Sequence, residues 1–134
     1  MSQAGRKTAT NPPDVPAPIR GYYSNSVRVS AGPLLFVAGQ VGIDAQNRVV
    51  GPGAAEQAEQ ALRNIERILA ASGATMADVV KVTVFVTDIK YLDEIAPARM
   101  KHFPKDGPAS TLVQVAALAF PELKVEIEAV AVVA

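Results

Sequence analysis

Few side chains in this sequence can do chemistry, and they narrow the possibilities quickly. Cysteine is absent and His102 is the lone histidine. Thiolate nucleophiles, disulfides, thiolate-held zinc and iron–sulfur clusters are therefore excluded, and the scattered carboxylates predict no metal site. Ser110 and Thr111 carry hydroxyls that a base could activate. No glycine-rich nucleophile elbow surrounds Ser110, however, and His102 stands before Phe103-Pro104 at what reads as a helix end, where the dipole favours a cation. Gly51-Pro52-Gly53 has neither the Walker lysine nor GxGxxG spacing, so it reads as a loop ahead of a helix and not as a phosphate cradle. Glu126 and Glu128 project from one side of an alternating run, about 7 Å apart. A carboxylate pair suits glycoside hydrolysis, but tryptophan is absent and aromatics are 5% of the chain, which leaves no platform for a sugar. A single partly buried carboxylate can instead shuttle protons while water adds to an electrophilic carbon. Glu126 is the candidate, although alternation alone favours a solvent-facing residue on the polar side of an edge strand.

These residues must be positioned by one domain. The chain has 134 residues, 49% of them apolar, enough for a core without staples. Residues 1–20 hold Pro12, Pro13, Pro16 and Pro18 and almost no bulky apolar side chain, so a flexible arm is expected there and a single domain over 21–134. Val27 and Val29, then Leu34 to Val37, bracket Ala31-Gly32-Pro33, which predicts a β-hairpin. Ala58, Ala61, Leu62, Ile65, Ile68 and Leu69 share one face of a helix, with Gly73 placed to cap it. Val79 to Val86 is β-branched and largely apolar, as in an interior strand. Leu92, Ile95, Ala96, Met100 and Phe103 predict a second helix, regular from near Ala96 because proline at 97 suits a first turn. Strands over 110–118 and 124–133 close the chain. Two helices and at least five strands give an α+β fold: a mixed sheet with both helices on one face. The uncovered face then needs another copy of the chain to bury it.

Charge bounds the partners. Thirteen Lys and Arg balance thirteen Asp and Glu, and no basic cluster is visible, so nucleic acid is not an expected partner. No apolar run reaches the roughly 18 residues of a membrane span and no secretory leader is evident, so a cytoplasmic location is expected.

Five segments carry a family likeness: Gly21-Tyr22-Tyr23-Ser24, Phe36-Val37-Ala38-Gly39-Gln40, Val79 through Asp88, Gly107-Pro108-Ala109-Ser110-Thr111, and Val125 through Ala131. In order and spacing they resemble the Rid family, the reactive intermediate deaminases, also called YjgF-like proteins or, in an older naming, perchloric-acid-soluble ribonucleases. The resemblance implies a chorismate-mutase-like α+β fold, a homotrimer and small-molecule clefts between subunits. It also implies hydrolysis of enamines and imines to ammonia and a 2-oxo acid, without cofactor or metal. By the same likeness Tyr23 lines the cleft, the Gly39 backbone approaches the ligand, and Glu126 serves the catalytic water.

One position departs from the pattern. Deaminases of the family read Pro-Ala-Arg-Ser where this chain reads Pro108-Ala109-Ser110-Thr111, so Ser110 stands where an arginine would clamp the substrate carboxylate. A hydrogen bond to a charged group is worth about 1.5–3 kcal/mol net against about 0.5–1.5 for a neutral one, so carboxylate substrates should bind poorly. Ser110 and Thr111 are then expected to offer neutral hydrogen bonds from the cleft wall. Arg99 and Lys105 lie in the segment before Ser110, where either could substitute for that arginine from another direction, but cations on helices and loops are expected to face water. Three functions stay open: a divergent imine hydrolase, a non-catalytic trimeric metabolite-binding or regulatory protein, and an endoribonuclease.

Overall fold

A computed structural model describes residues 6–133 of the chain. Its elements are β1 (Lys7–Thr10), β2 (Ser26–Val29), β3 (Leu34–Val41), α1 (Ala54–Ala71), β4 (Val79–Val86), α2 (Tyr91–His102), β5 (Ala109–Gln114) and β6 (Val125–Val132). A short 3-10 turn, Met76–Asp78, leads into β4. The main sheet has the order β3-β6-β4-β5; β6 is antiparallel to both its neighbours and β5 runs parallel to β4.

The core lies between this sheet and the two helices. Val82, Val84 and Val86 of β4 and Val125, Ile127, Ala129 and Ala131 of β6 point into it and meet Ala58, Ala61, Leu62, Ile65 and Leu69 of α1. Those α1 positions are the apolar stripe read from the sequence, and Glu59 and Arg63 pair across a turn on its other side at 2.9 Å. Gly73, at φ +75°, ends the helix in the left-handed conformation while the Ala74 N–H donates to the Leu69 carbonyl.

The second face of the sheet is open. It carries Leu34 and Phe36 of β3, Lys81, Thr83 and Phe85 of β4, Thr111 and Val113 of β5, and Glu126, Glu128 and Val130 of β6. Phe36 is 74% exposed and Leu34 49%, which is unusual for large apolar side chains on a strand.

Several expectations need correction. The hairpin is absent: β2 pairs with β1, not with β3, whose partner is β6. Two apolar runs around a turn do not reveal whether the chain folds back or carries on to another partner. The true partner, Lys7–Thr10, lies inside the arm expected over 1–20 and has no apolar run of its own. Residues 1–5 of that arm lie outside the described residues. The helix expected from Ala96 begins at Tyr91 with Pro97 in its interior. Proline removes the bond to the Asp93 carbonyl, but Asp93 and Pro97 both lie on the exposed side of the helix, where the loss costs least. The strand expected to reach residue 118 stops at Gln114, because β4 ends at Val86 and offers no ladder beyond the bond from Val115 N–H to the Val86 carbonyl.

At Gly73 the position of an added Cβ has nothing within 4 Å, so backbone conformation alone sets the effect of a substitution. Gly73→Ala is expected to lower unfolding free energy by about 1–2 kcal/mol, read from the urea midpoint at unchanged slope.

Candidate functional site

The segment ahead of β2 is fastened to the lead-in of β5. Ser24 N–H donates to the Pro108 carbonyl at 3.1 Å, and its buried hydroxyl donates to the Gly107 carbonyl at 2.6 Å. Gly107 permits this approach, since a Cβ there would overlap the Tyr22 carbonyl. Tyr22 and Tyr23 are thereby held beside the start of β5, their ring centroids 6.0 Å apart. The Tyr23 hydroxyl accepts from the Ile19 N–H at 3.1 Å, which folds residues 19–20 over the same spot.

Helix α2 crosses this edge of the sheet and delivers Arg99. Its guanidinium carbon lies 4.1 Å from the Tyr22 ring centroid, and Nη2 donates to Ser110 Oγ at 2.6 Å. Around these groups is a cleft of about 410 Å³. Ile19, Leu92 and Leu112 form its apolar walls; Arg20, Arg99, Ser110 and the two tyrosines are its polar features. Arg20 forms an ion pair with Asp93 at the cleft mouth. Arg99 is different. It is only 3% exposed, and among the described residues no carboxylate lies within ion-pair distance of it. Burial pushes its guanidinium below the ordinary arginine value, an effect partly offset by Tyr22 and Tyr23 and reinforced by the like charge of Arg20. The shift leaves an arginine protonated at neutral pH.

Of the anticipated residues, only Tyr23 and Ser110 line this cleft. Ser110 opposes Val82 and so stands on the helix-covered side, whereas Thr111 opposes Thr83 on the open face and accepts from Lys81 Nζ at 3.0 Å. Glu126 is also on the open face, opposite Phe85, two strands in from the β5 edge. Gly39 sits beside it in a bulge of β3 between Val37 and Gln40. A Cβ on Gly39 would overlap Glu126 Oε2, so the glycine provides the space the carboxylate occupies. Within one chain, Tyr23 and Ser110 share a cleft, Gly39 and Glu126 form a second group, and the sheet separates the two.

His102 serves neither hydroxyl. Its Nε2 lies 3.0 Å from Glu59 Oε2, tying α2 to α1. Burial opposes ionisation of Glu59, but hydrogen bonds and charge from His102, with Arg63 and Lys101, hold its carboxyl below the usual range.

The expectation that Arg99 faces water is overturned. With the helix beginning at Tyr91, Leu92, Ile95 and Arg99 are spaced 0, 3 and 7, one helical face. Met100, assigned to the inner face from the sequence, is instead 41% exposed. The spacing signal exists in Leu92 and Ile95, but the charge of Arg99 argues for solvent and Met100 reads as the inner-face residue beside it.

Comparison with known proteins gives a consistent result. A sequence-family model described as endoribonuclease L-PSP matches residues 14–133. The cattle 2-iminobutanoate/2-iminopropanoate deaminase is 42% identical over 113 residues, 84% of this chain and 80% of that protein. The human protein of that name is 38% identical over the same shares. A crystal structure of a Rid-family protein of unknown function, YyfB from Yersinia pestis, matches with TM-score 0.87 at 33% identity, covering 96% of this chain and 99% of that one. The α+β architecture with two helices on one face of a mixed sheet is the architecture of these neighbours.

Ser24 fixes the tyrosine segment through a buried hydrogen bond, and replacing it strands the Gly107 carbonyl. Ser24→Ala is expected to cost about 1–3 kcal/mol of stability in chemical denaturation, more than a typical surface substitution.

Proposed function

The chain belongs to the endoribonuclease L-PSP family, the Rid or YjgF-like proteins, and from that premise we propose that it is a cytoplasmic homotrimer that hydrolyses imines and enamines in clefts between its subunits, without cofactor or metal. The observation that carries this reading is the division of the site. The Tyr23–Ser110 cleft lies at the β5 edge, Glu126 and Gly39 lie on the open face, and that face exposes Phe36 and Leu34. A neighbouring copy seated on the open face buries those apolar side chains and brings its own cleft toward Glu126. The deaminase names of relatives at 38% and 42% identity support the reaction class.

In such a cleft the ligand rests between Tyr23 and Ser110 while Glu126 accepts a proton from water as its oxygen bonds to the imine carbon. The C=N π electrons move to nitrogen, which takes up a proton. Glu126 supplies that proton, the one it took from water, giving a neutral carbinolamine. This collapses as its hydroxyl proton passes through Glu126 to nitrogen and the amine leaves as ammonia, so imine plus water gives carbonyl plus ammonia. An enamine enters the same sequence after protonation at carbon.

A non-catalytic metabolite-binding trimer would use the same cleft and show ligand-induced stabilisation without ammonia release. RNA cleavage has less support. A phosphate backbone needs several available cations, and in this cleft Arg20 is already paired.

Ammonia and carbonyl release should be measured on a panel of imines generated in solution, for the intact protein and Glu126→Gln. The variant is expected to lose about 10²–10⁴-fold in rate at unchanged thermal midpoint. Turnover no faster than buffer, or equal rates in both proteins, overturns the hydrolase. Sedimentation is expected to show three chains per particle; a single chain at working concentration removes the shared cleft.

A further inference from the structure

We propose that Arg99, reaching the cleft from α2, is the anion-binding group of this protein, and that it selects a monocarboxylate with an apolar body. The inference rests on the cleft being the ligand site, as read above, but not on turnover.

The argument begins with charge. Arg20, Arg48 and Arg63 each pair with a carboxylate, whereas the far more buried Arg99 has none among the described residues. A buried ion lacking a counter-ion is strongly unfavourable, and a fold that keeps one holds it against a cleft that something negative can enter. The guanidinium is also oriented in advance. The Tyr22 ring supports its face and Ser110 Oγ takes one N–H, leaving further donors of the planar fork for a ligand.

Net charge in the cleft sets the ligand's charge. Within one chain Asp93 neutralises Arg20, so the cleft wall carries one uncompensated positive charge, which suits a monoanion, and the Glu126 carboxylate that a neighbouring copy would add further disfavours a phosphate dianion. The walls set the rest. Ile19, Leu92, Leu112 and the tyrosine rings offer a carboxylate's partner only apolar surface, and about 410 Å³ accommodates a branched or aromatic group.

Ser110 then has a definite role. Its short side chain leaves room for the guanidinium and accepts one hydrogen bond from it, whereas an arginine at 110 would force two like charges together. The serine accompanies a change in the direction from which the charge arrives. It does not mark the loss of that charge.

The test uses three probes sharing one body: phenylacetate, phenylacetamide and phenyl phosphate, titrated calorimetrically into the full chain and into Arg99→Met and Arg99→Lys. Intact protein is expected to bind phenylacetate saturably and in preference to the other two. Arg99→Met is expected to bind it about 10- to 100-fold more weakly, as a charge-assisted pair of hydrogen bonds implies. Arg99→Lys is expected to fall between, because it keeps the charge and loses the fork. Thermal midpoints identify misfolding; if Arg99→Met unfolds, Arg99→Lys decides alone. Equal affinity for acid and amide, preference for phenyl phosphate, no binding of phenylacetate, or undiminished binding by the variants overturns the proposal. Arg99-dependent binding without ammonia release defeats the hydrolase and leaves this inference standing. Ammonia release that ignores Arg99 does the reverse.

Discussion

Two helices are too few to cover both faces of a four-stranded sheet, and that shortage governs the molecule. α1 and α2 lie against the side that carries Val82, Val84, Ile127 and Ala129, and the core forms there. The other side keeps Phe36, Leu34 and Val113 in water together with Glu126 and Thr111. Apolar area left exposed at roughly 25 cal/mol per Å² is a standing drive toward association. It also explains why residues that read as one site from their order in the chain stand on opposite sides of the sheet.

At the β5 edge the governing quantity is desolvation. α2 buries a guanidinium beside an aromatic ring and a serine hydroxyl, with no carboxylate among the described residues to balance it. The surrounding contacts are arranged to hold that charge in one orientation. Ser24 locks the tyrosine segment to β5, Tyr22 supports the guanidinium face, and Ser110 fixes one of its nitrogens. Each contact is local, but together they join the segment ahead of β2, helix α2 and the edge strand.

How much of this was legible in the sequence depends on how local the signal is. The α1 stripe and the β-branched run of β4 are periodic over many residues, so their burial follows from pattern alone. β1 has no such pattern: Lys7-Thr8-Ala9-Thr10 becomes a strand because β2 lies beside it, a fact of tertiary structure. α2 fails at an intermediate level. Pro97 suggests a start near Ala96, and although Leu92 and Ile95 mark the inner face, Met100 is read beside them while Arg99, whose charge suggests solvent, is the residue the structure buries. The family likeness nominated Tyr23, Gly39, Ser110 and Glu126 but carried no pointer to the buried guanidinium on α2.

Where that guanidinium is mounted has its own consequence. A side chain on β5 is held in register by hydrogen bonds to β4, so moving it disturbs the ladder on which the neighbouring strands depend. Arg99 instead rides on α2, whose hydrogen bonding is already interrupted at Pro97 and whose contacts with α1 are made by side chains such as His102. A helix can slide or rotate by a fraction of a turn without changing any strand pairing. On the proposed reading, ligand preference rests on α2 and assembly on the open face, so variation along α2 would retune the first and leave the second intact.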